Sequence, residues 1–276
     1  MIKIFLSVRN RLAITKKCIT ALIKHSTIPH QLYVYDNDSN YLIDEHFGYF
    51  CKMYKKGMIS QVTFTTTKTT FNAFSKASTC NFFGQQHEQD PNKDNYIFLL
   101  MLDNDIIVTQ GWDQKLKVAW DYVKQNKINN IKVIGQIPGG IKSLDSKVHT
   151  IGKMTARVGT LGGSGLWSVQ PNFFRDVGFL NLKSLVGHDK KHDQLYWQLL
   201  QKASKNRHYI MGLKEKLGIH CGKQAGSVCN RLTRNRGKKG RLDLIKFEGA
   251  EKNIDAMTFE EFYKLIYSDK KLLGDW

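Results

Sequence analysis

No apolar run in this sequence approaches the ~20 residues that a membrane-spanning helix needs, and the opening MIKIFLSVRN is too short an apolar stretch for a secretory signal. A soluble chain is therefore expected. Cysteine is scarce, with Cys18, Cys51, Cys80, Cys221 and Cys229 making an odd five and no C-x-x-C pair among them. That spacing suggests neither a disulfide framework nor a zinc knuckle, and it suits a reducing cytoplasm. No segment repeats. Acidic residues are also few: 24 Asp and Glu stand against 42 Lys and Arg, leaving a net charge of +18. An excess of this size implies a polyanionic partner, either nucleic acid, an acidic membrane surface or a phosphorylated ligand. A lysine-rich bias that only aids solubility accounts for the same number. The apolar content of 41% excludes a disordered chain, and 276 residues suffice for one large core or a core with an appendage.

What is present is organised around YIFLLMLDND. Tyr96 to Leu102 carries no charge, and Asp103, Asn104 and Asp105 follow at once. An uninterrupted apolar run of this length reads as a strand buried on both faces of a parallel sheet. In open α/β sheets ligands bind just beyond the carboxyl ends of the strands. Two carboxylates there suit Mg²⁺ or Mn²⁺, which in turn hold phosphate. Their simpler use is a turn that caps the helix near Trp112.

The rest alternates. Strands are expected from Ile2 to Val8, Gln31 to Tyr35, Gln61 to Thr66, Ile106 to Val108, Ile131 to Ile134, Leu166 to Val169 and His208 to Leu213. Helices are expected from Ala13 to His25, Leu42 to Tyr54, Asn72 to Gln86, Trp112 to Lys124, Asn172 to Val177, Lys190 to Lys205 and Phe259 to Ile266. The stretch after Ile134 is glycine-rich and reads as irregular. From Lys223 to Lys246 the chain is strongly basic and poor in apolar residues. The alternation gives an α/β sandwich with a mainly parallel central sheet and flanking helices. Most polar clusters follow directly on strands.

From about Ile2 to Gly222 the order of parts resembles the GT-A glycosyltransferases, and the large family-two group in particular. FLSVRNR resembles the first strand and donor-nucleotide loop, and YVYDNDSN the strand whose acidic end holds base and ribose. FNAFSKASTCN resembles the helix bounded by asparagines, and LDND fits the DxD motif. GGSGLWSVQPNFFRDVGFLN resembles the acceptor-side segment, GHD takes the place of the acidic pair before a long helix, and IHCG matches the late metal-shell histidine.

The resemblance implies a GT-A sandwich, the nucleotide-diphospho-sugar transferase architecture, over residues 1–222. Residues 1–110 would form the nucleotide-sugar half and 111–222 the acceptor half. Residues 223–276 would be a basic segment with a short helix, acting as a lid or a nucleic-acid contact. It implies a nucleotide-sugar donor, most simply a UDP-sugar, contacted by Ser7, Arg9, Asp36, Asp38, Asn72, Lys76, Asp103 and Asn104. Asp103, Asp105 and His220 would hold Mn²⁺ or Mg²⁺; Gly163, Trp167 and His188 would face the acceptor; Asp189 or Asp193 would be the general base. Arg231, Arg234, Arg236, Lys238, Lys239 and Arg241 would grip phosphate.

Plainer uses stay open. Asp36, Asp38 and Asp189 are also suited to cap helices, Trp167 to fill a core, and the basic stretch to be a solvated loop. The family often has Glu-Asp where His188-Asp189 stands, and it does not predict the basic segment. The charge excess favours a nucleic-acid acceptor, a hydroxymethylated base in DNA as in phage genomes, reached by base flipping. The site would then work in the cytoplasm of a bacterium or of a phage-infected host. The rival acceptors are an envelope glycan, a lipid or a protein. From other classes, a two-metal nuclease and a non-catalytic nucleic-acid binder also suit the charge.

Overall fold

A computed structural model of the chain describes residues 1–37, 39, 41–65, 72–136, 148–159, 165–179, 209–221 and 248–268, with the backbone alone for 72–78. Its main sheet has nine strands in the order β3-β2-β1-β4-β9-β6-β10-β8-β7. These are β1 (Ile2–Val8), β2 (His30–Asn37), β3 (Gln61–Thr65), β4 (Leu99–Asp103), β6 (Val133–Gln136), β7 (Val148–Ile151), β8 (Met154–Gly159), β9 (Leu166–Val169) and β10 (Ile210–Leu213). Only β9 and β8 run against the others, so the sheet is mainly parallel, as the alternation implied.

Between these strands lie α1 (Leu12–His25), α2 (Ile43–Lys55), α3 (Asn72–Gln89), α4 (Trp112–Gln125) and the short α5 (Phe173–Val177). The β1–α1–β2 and β2–α2–β3 units are the crossovers that a parallel sheet requires. A separate two-stranded ladder pairs β5 (Ile106–Val108) with β11 (Gly218–His220).

The period of two along β1 decides its faces. Ile2, Ile4, Leu6 and Val8 join the core shared with α1 and α4, whereas Phe5 joins a second core with Phe83, Trp167 and Phe173. Lys3, on the Phe5 face, is 1% exposed, and its ammonium meets Asp90 at 2.6 Å and lies 4.6 Å from the centre of the Tyr33 ring. Burial lowers its pKa, and Asp90 partly restores it.

Two features depart from the sequence reading. The glycine-rich stretch contains a hairpin, β7–β8, turned at Gly152, whose φ of 60° suits glycine. β7 buries only Ile151, so it carries little alternation to read; β8 is held by its pairing with β10. Residues 248–256 form a helix, α6, that was not anticipated. With α7 (Phe259–Ser268), α6 packs along α1. Lys16 pairs with Asp255 at 2.7 Å, Lys17 Nζ donates to the Met257 carbonyl, and Lys24 pairs with Glu260. Ile254, Phe262 and Ile266 enter the same core as β1. This part of the 223–276 segment is thus built onto α1 and the core it shares with β1. It also explains why α1 buries Lys17 on the side away from the sheet as well as Ile14 and Cys18. No helix among the described residues is long and apolar enough to cross a membrane.

Candidate active site

Register sets the site. Ser7 pairs with Asp103 and Val8 with Asp36, so the carboxyl ends of β1, β2 and β4 finish level. Two asparagines tie the loops that follow. The Asn10 backbone N–H donates to Ser39 Oγ at 2.7 Å, and Asn10 Oδ1 accepts the Tyr41 N–H at 3.0 Å. Asn104 Nδ2 donates to the Asn10 carbonyl at 3.1 Å and to Thr15 Oγ1 at 2.9 Å. Its backbone N–H donates to the Ser7 carbonyl at 3.2 Å. Asn104, expected to meet the donor, thus has its amide hydrogens engaged within the loop framework.

Asn10 and Arg11 both hold left-handed backbone, with φ of 54° and 58°. Asparagine tolerates that region; arginine rarely enters it, at a cost on the order of 1 kcal/mol. The turn aims the Arg11 side chain back across the sheet end. Arg11 Nη1 donates to Asp105 Oδ2 at 2.5 Å, with both side chains about nine-tenths buried.

The β5–β11 ladder delivers the third member. His220 pairs with Ile106, and the Cys221 N–H donates to the Asp105 carbonyl at 2.7 Å. His220 Nε2 then lies 3.3 Å from Asp105 Oδ2, with its ring about one-third exposed. The surroundings are dry. Burial pushes the Cys18 and Cys221 thiols up, and the Asp105 charge adds to both.

Sequence reasoning therefore linked Asp105 with His220, residues 115 apart, and the structure brings them together. A carboxylate oxygen and an imidazole nitrogen at 3.3 Å are suitably placed to share one divalent ion, and both are donors that Mn²⁺ accepts. Among the described residues no group of three His, Cys, Asp or Glu side chains is arranged to hold a metal.

Asp103, half-buried at the end of β4, shares a narrow crevice with Ser7, Thr79, Phe83 and Trp167. Gly165 sits beside it, and a Cβ there would press on Ile106 Cδ1 at 3.1 Å while only touching Asp103 Oδ2 at 3.7 Å. Trp167 is 4% exposed, with its ring 6.0 Å from that of Phe173 in an edge contact, so it is part of the core. Ser7 and Arg9 are partly exposed at the end of β1. Asp36 is buried: Oδ1 accepts the Ser39 N–H at 2.9 Å, and Oδ2 lies 3.1 Å from His46 Nδ1. Asn72 and Lys76 belong to α3, but their side chains lie outside the described residues. So do Asp38, Gly163, His188, Asp189, Asp193, Arg231, Arg234, Arg236, Lys238, Lys239 and Arg241. Sequence reasoning missed Arg11 and Asn10, although both stand in FLSVRNR, because nothing in that string reveals the left-handed turn.

No protein-family model matches the sequence, and no curated protein matches it. Solved structures do. S. aureus TarS 1–349 superposes with a TM-score of 0.50 at 12% identity, covering 97% of this chain and 78% of that one. The mannosyltransferase PcManGT from Pyrobaculum calidifontis, solved with GDP-Man and Mn²⁺, gives 0.51 at 9% identity over 99% and 80%. GalNAc-T7, solved with UDP, GalNAc and Mn²⁺, gives 0.53 at 12% identity over 78% and 42%. The fold is GT-A. Within a GT-A fold the level ends of β1, β2 and β4 are the sheet edge at which an open α/β architecture binds ligands. That edge is where Asp103, Asp105 and His220 stand.

Proposed function

We propose that this chain is a metal-dependent glycosyltransferase that moves a sugar from a nucleotide-sugar, a UDP-sugar most simply, to an acceptor hydroxyl. The observation that carries the reading is the β5–β11 ladder, which sets His220 against Asp105 at the carboxyl edge of a GT-A sheet. The solved neighbours that hold UDP or GDP-Man with Mn²⁺ support it.

Asp105 and His220 would hold Mn²⁺ or Mg²⁺, and Asp103 would meet the ribose or a metal-bound water. The ion, when bound, neutralises charge on the departing diphosphate. Asp36 would orient the loop that receives the base, and Ser7 and Arg9 would line the donor cleft. Asp189 or Asp193 would take the proton from the acceptor hydroxyl as its oxygen attacks the anomeric carbon, a single displacement with inversion. The acceptor in this reading is a hydroxymethylated base in DNA, with the work done in the cytoplasm. Its support is the net charge of +18 and the basic run holding Arg231, Arg234, Arg236, Lys238, Lys239 and Arg241.

The test is nucleotide release from UDP-glucose with Mn²⁺, using hydroxymethylated or unmodified DNA, beside Asp105→Ala. Release that needs both the modified DNA and Asp105 supports the whole reading. Release that ignores DNA but needs Asp105 discards the DNA acceptor in favour of a glycan, lipid or protein. DNA cleavage without any nucleotide-sugar would replace the reading with a nuclease.

A further inference from the structure

We propose that Arg11 is the resident cation of the Asp105 site, holding the carboxylate until a divalent ion displaces it, and that it thereby sets how tightly metal binds. The proposal rests on the metal-site reading above and adds a residue to it.

One atom carries the argument. Asp105 Oδ2 accepts from Arg11 Nη1 at 2.5 Å and also faces His220 Nε2 at 3.3 Å. An ion held between Asp105 and His220 would use that same oxygen and stand next to the guanidinium. Two cations do not share one buried carboxylate oxygen in a poorly solvated site without strong repulsion. The structure thus presents a competition for Oδ2 between an arginine tethered to the chain and a metal from solution.

The tether is built for this position. Arg11 precedes α1 in left-handed backbone, and the Thr15 N–H donates to its carbonyl at 3.0 Å, fixing the main chain. Arg11 is 9% exposed, yet among the described residues its Nε has no hydrogen-bond partner. A guanidinium used for stability alone would be expected to satisfy its buried donors. The idle Nε–H leaves part of the fork to take an anionic oxygen, and a diphosphate is the planar-fork ligand for which arginine is suited. A donor diphosphate would therefore draw Arg11 away from Asp105 as the metal arrives. Metal and nucleotide would bind with positive coupling, and metal alone would bind weakly.

The experiment measures Mn²⁺ affinity by electron paramagnetic resonance on the full chain, with and without UDP, for wild type, Arg11→Gln and Asp105→Asn. Arg11→Gln is expected to bind Mn²⁺ alone about tenfold more tightly than wild type, equivalent to about 1.4 kcal/mol. It is also expected to lose most of the gain that UDP gives wild type. Unchanged or weaker Mn²⁺ binding in Arg11→Gln, while Asp105→Asn loses it, overturns the role of Arg11 and leaves the metal site standing. Wild-type affinity in Asp105→Asn, or no binding by any of the proteins, overturns both. If Arg11→Gln does not fold, wild-type protein carrying ¹⁵N-arginine replaces it, with Mg²⁺ as the titrant and Arg11→Lys to assign the signal. The Arg11 resonance must then move with the metal, and a stationary one at saturation refutes the exchange.

Discussion

Glu251 is a helix cap supplied from the far end of the chain, and its removal separates two effects that usually travel together. Helix α1 starts without a cap of its own, because Arg11 offers no side-chain bond and no acid lies in the first turn. Glu251 Oε2 accepts the Ala13 N–H at 2.9 Å instead, across 238 residues. The carboxylate is 4% exposed, and among the described residues its Oε1 has no hydrogen-bond partner. Burial pushes the Glu251 carboxyl up, and the Ala13 N–H and the nearby Arg11 charge offset this only in part.

Glu251→Ala removes the acceptor and strands a buried N–H, which costs about 2 kcal/mol. In a chain of this size that is on the order of 4–8 °C in Tm. Glu251→Gln keeps the acceptor and deletes the charge, so its cost is expected to be smaller than that of Glu251→Ala. The pH dependence follows from the raised pKa. The folded state binds the Glu251 proton more tightly than the unfolded state does. That contribution is complete below the ordinary glutamate range and is lost as pH rises through the folded value. The stability of Glu251→Gln relative to wild type should therefore grow as pH rises. Urea unfolding of the three proteins from pH 4 to pH 8 measures it. If Gln costs as much as Ala, or if the Gln advantage shrinks with rising pH, the cap argument is wrong.

Other sites give independent checks. Ser168 is fully buried and bridges Trp120 Nε1 at 3.0 Å to the Ile134 carbonyl at 2.8 Å, so Ser168→Ala should cost about 1–3 kcal/mol in urea unfolding. A Cβ on Gly218 would lie 2.7 Å from Ile106 Cγ2 and 3.2 Å from Leu166 Cδ1. Gly218→Ala should therefore push β11 off β5, carry His220 away from Asp105, and weaken Mn²⁺ binding in the same resonance assay. Burial pushes the Asp90 carboxyl up, but hydrogen bonds from Lys3, the Asn92 N–H and Tyr96 outweigh it and hold its pKa below the ordinary value. The stability that this gives is present above the unfolded pKa and lost as pH falls through the folded one. Lys3→Met should cost about 2 kcal/mol at neutral pH and move the acid-unfolding midpoint, followed by circular dichroism, to higher pH.

The sheet was legible wherever burial wrote a simple pattern. The run from Tyr96 to Leu102 announced a central strand because both of its faces are covered, and the acids after it fell at the sheet edge for the same reason. The His220–Asp105 pairing was foreseen from the order of motifs, not from any local signal, since it depends on the β5–β11 ladder. What stayed hidden was non-local or conformational. Trp167 beside glycines looked like an acceptor platform, but the second core needed its bulk. β7 escaped notice because one buried residue makes no period, and Arg11 because a φ of 58° leaves no mark on composition. Residues 248–256 follow a basic stretch whose charge masked the apolar contacts they make with α1.

The docking of α6 and α7 on α1 also imposes an order on synthesis. A ribosome finishes β1 through β4 well before it reaches residue 248, and at about 5–20 residues per second the interval is many seconds. Throughout it, α1 has neither the Glu251 carboxylate at its first turn nor the Asp255 and Glu260 partners of Lys16 and Lys24. The nascent half built on β1 to β4 therefore carries an unfinished helix with its outer face uncovered until the residues beyond 248 emerge. A nascent-chain protease-protection series should show that half gaining resistance late, when the residues beyond 248 clear the exit tunnel.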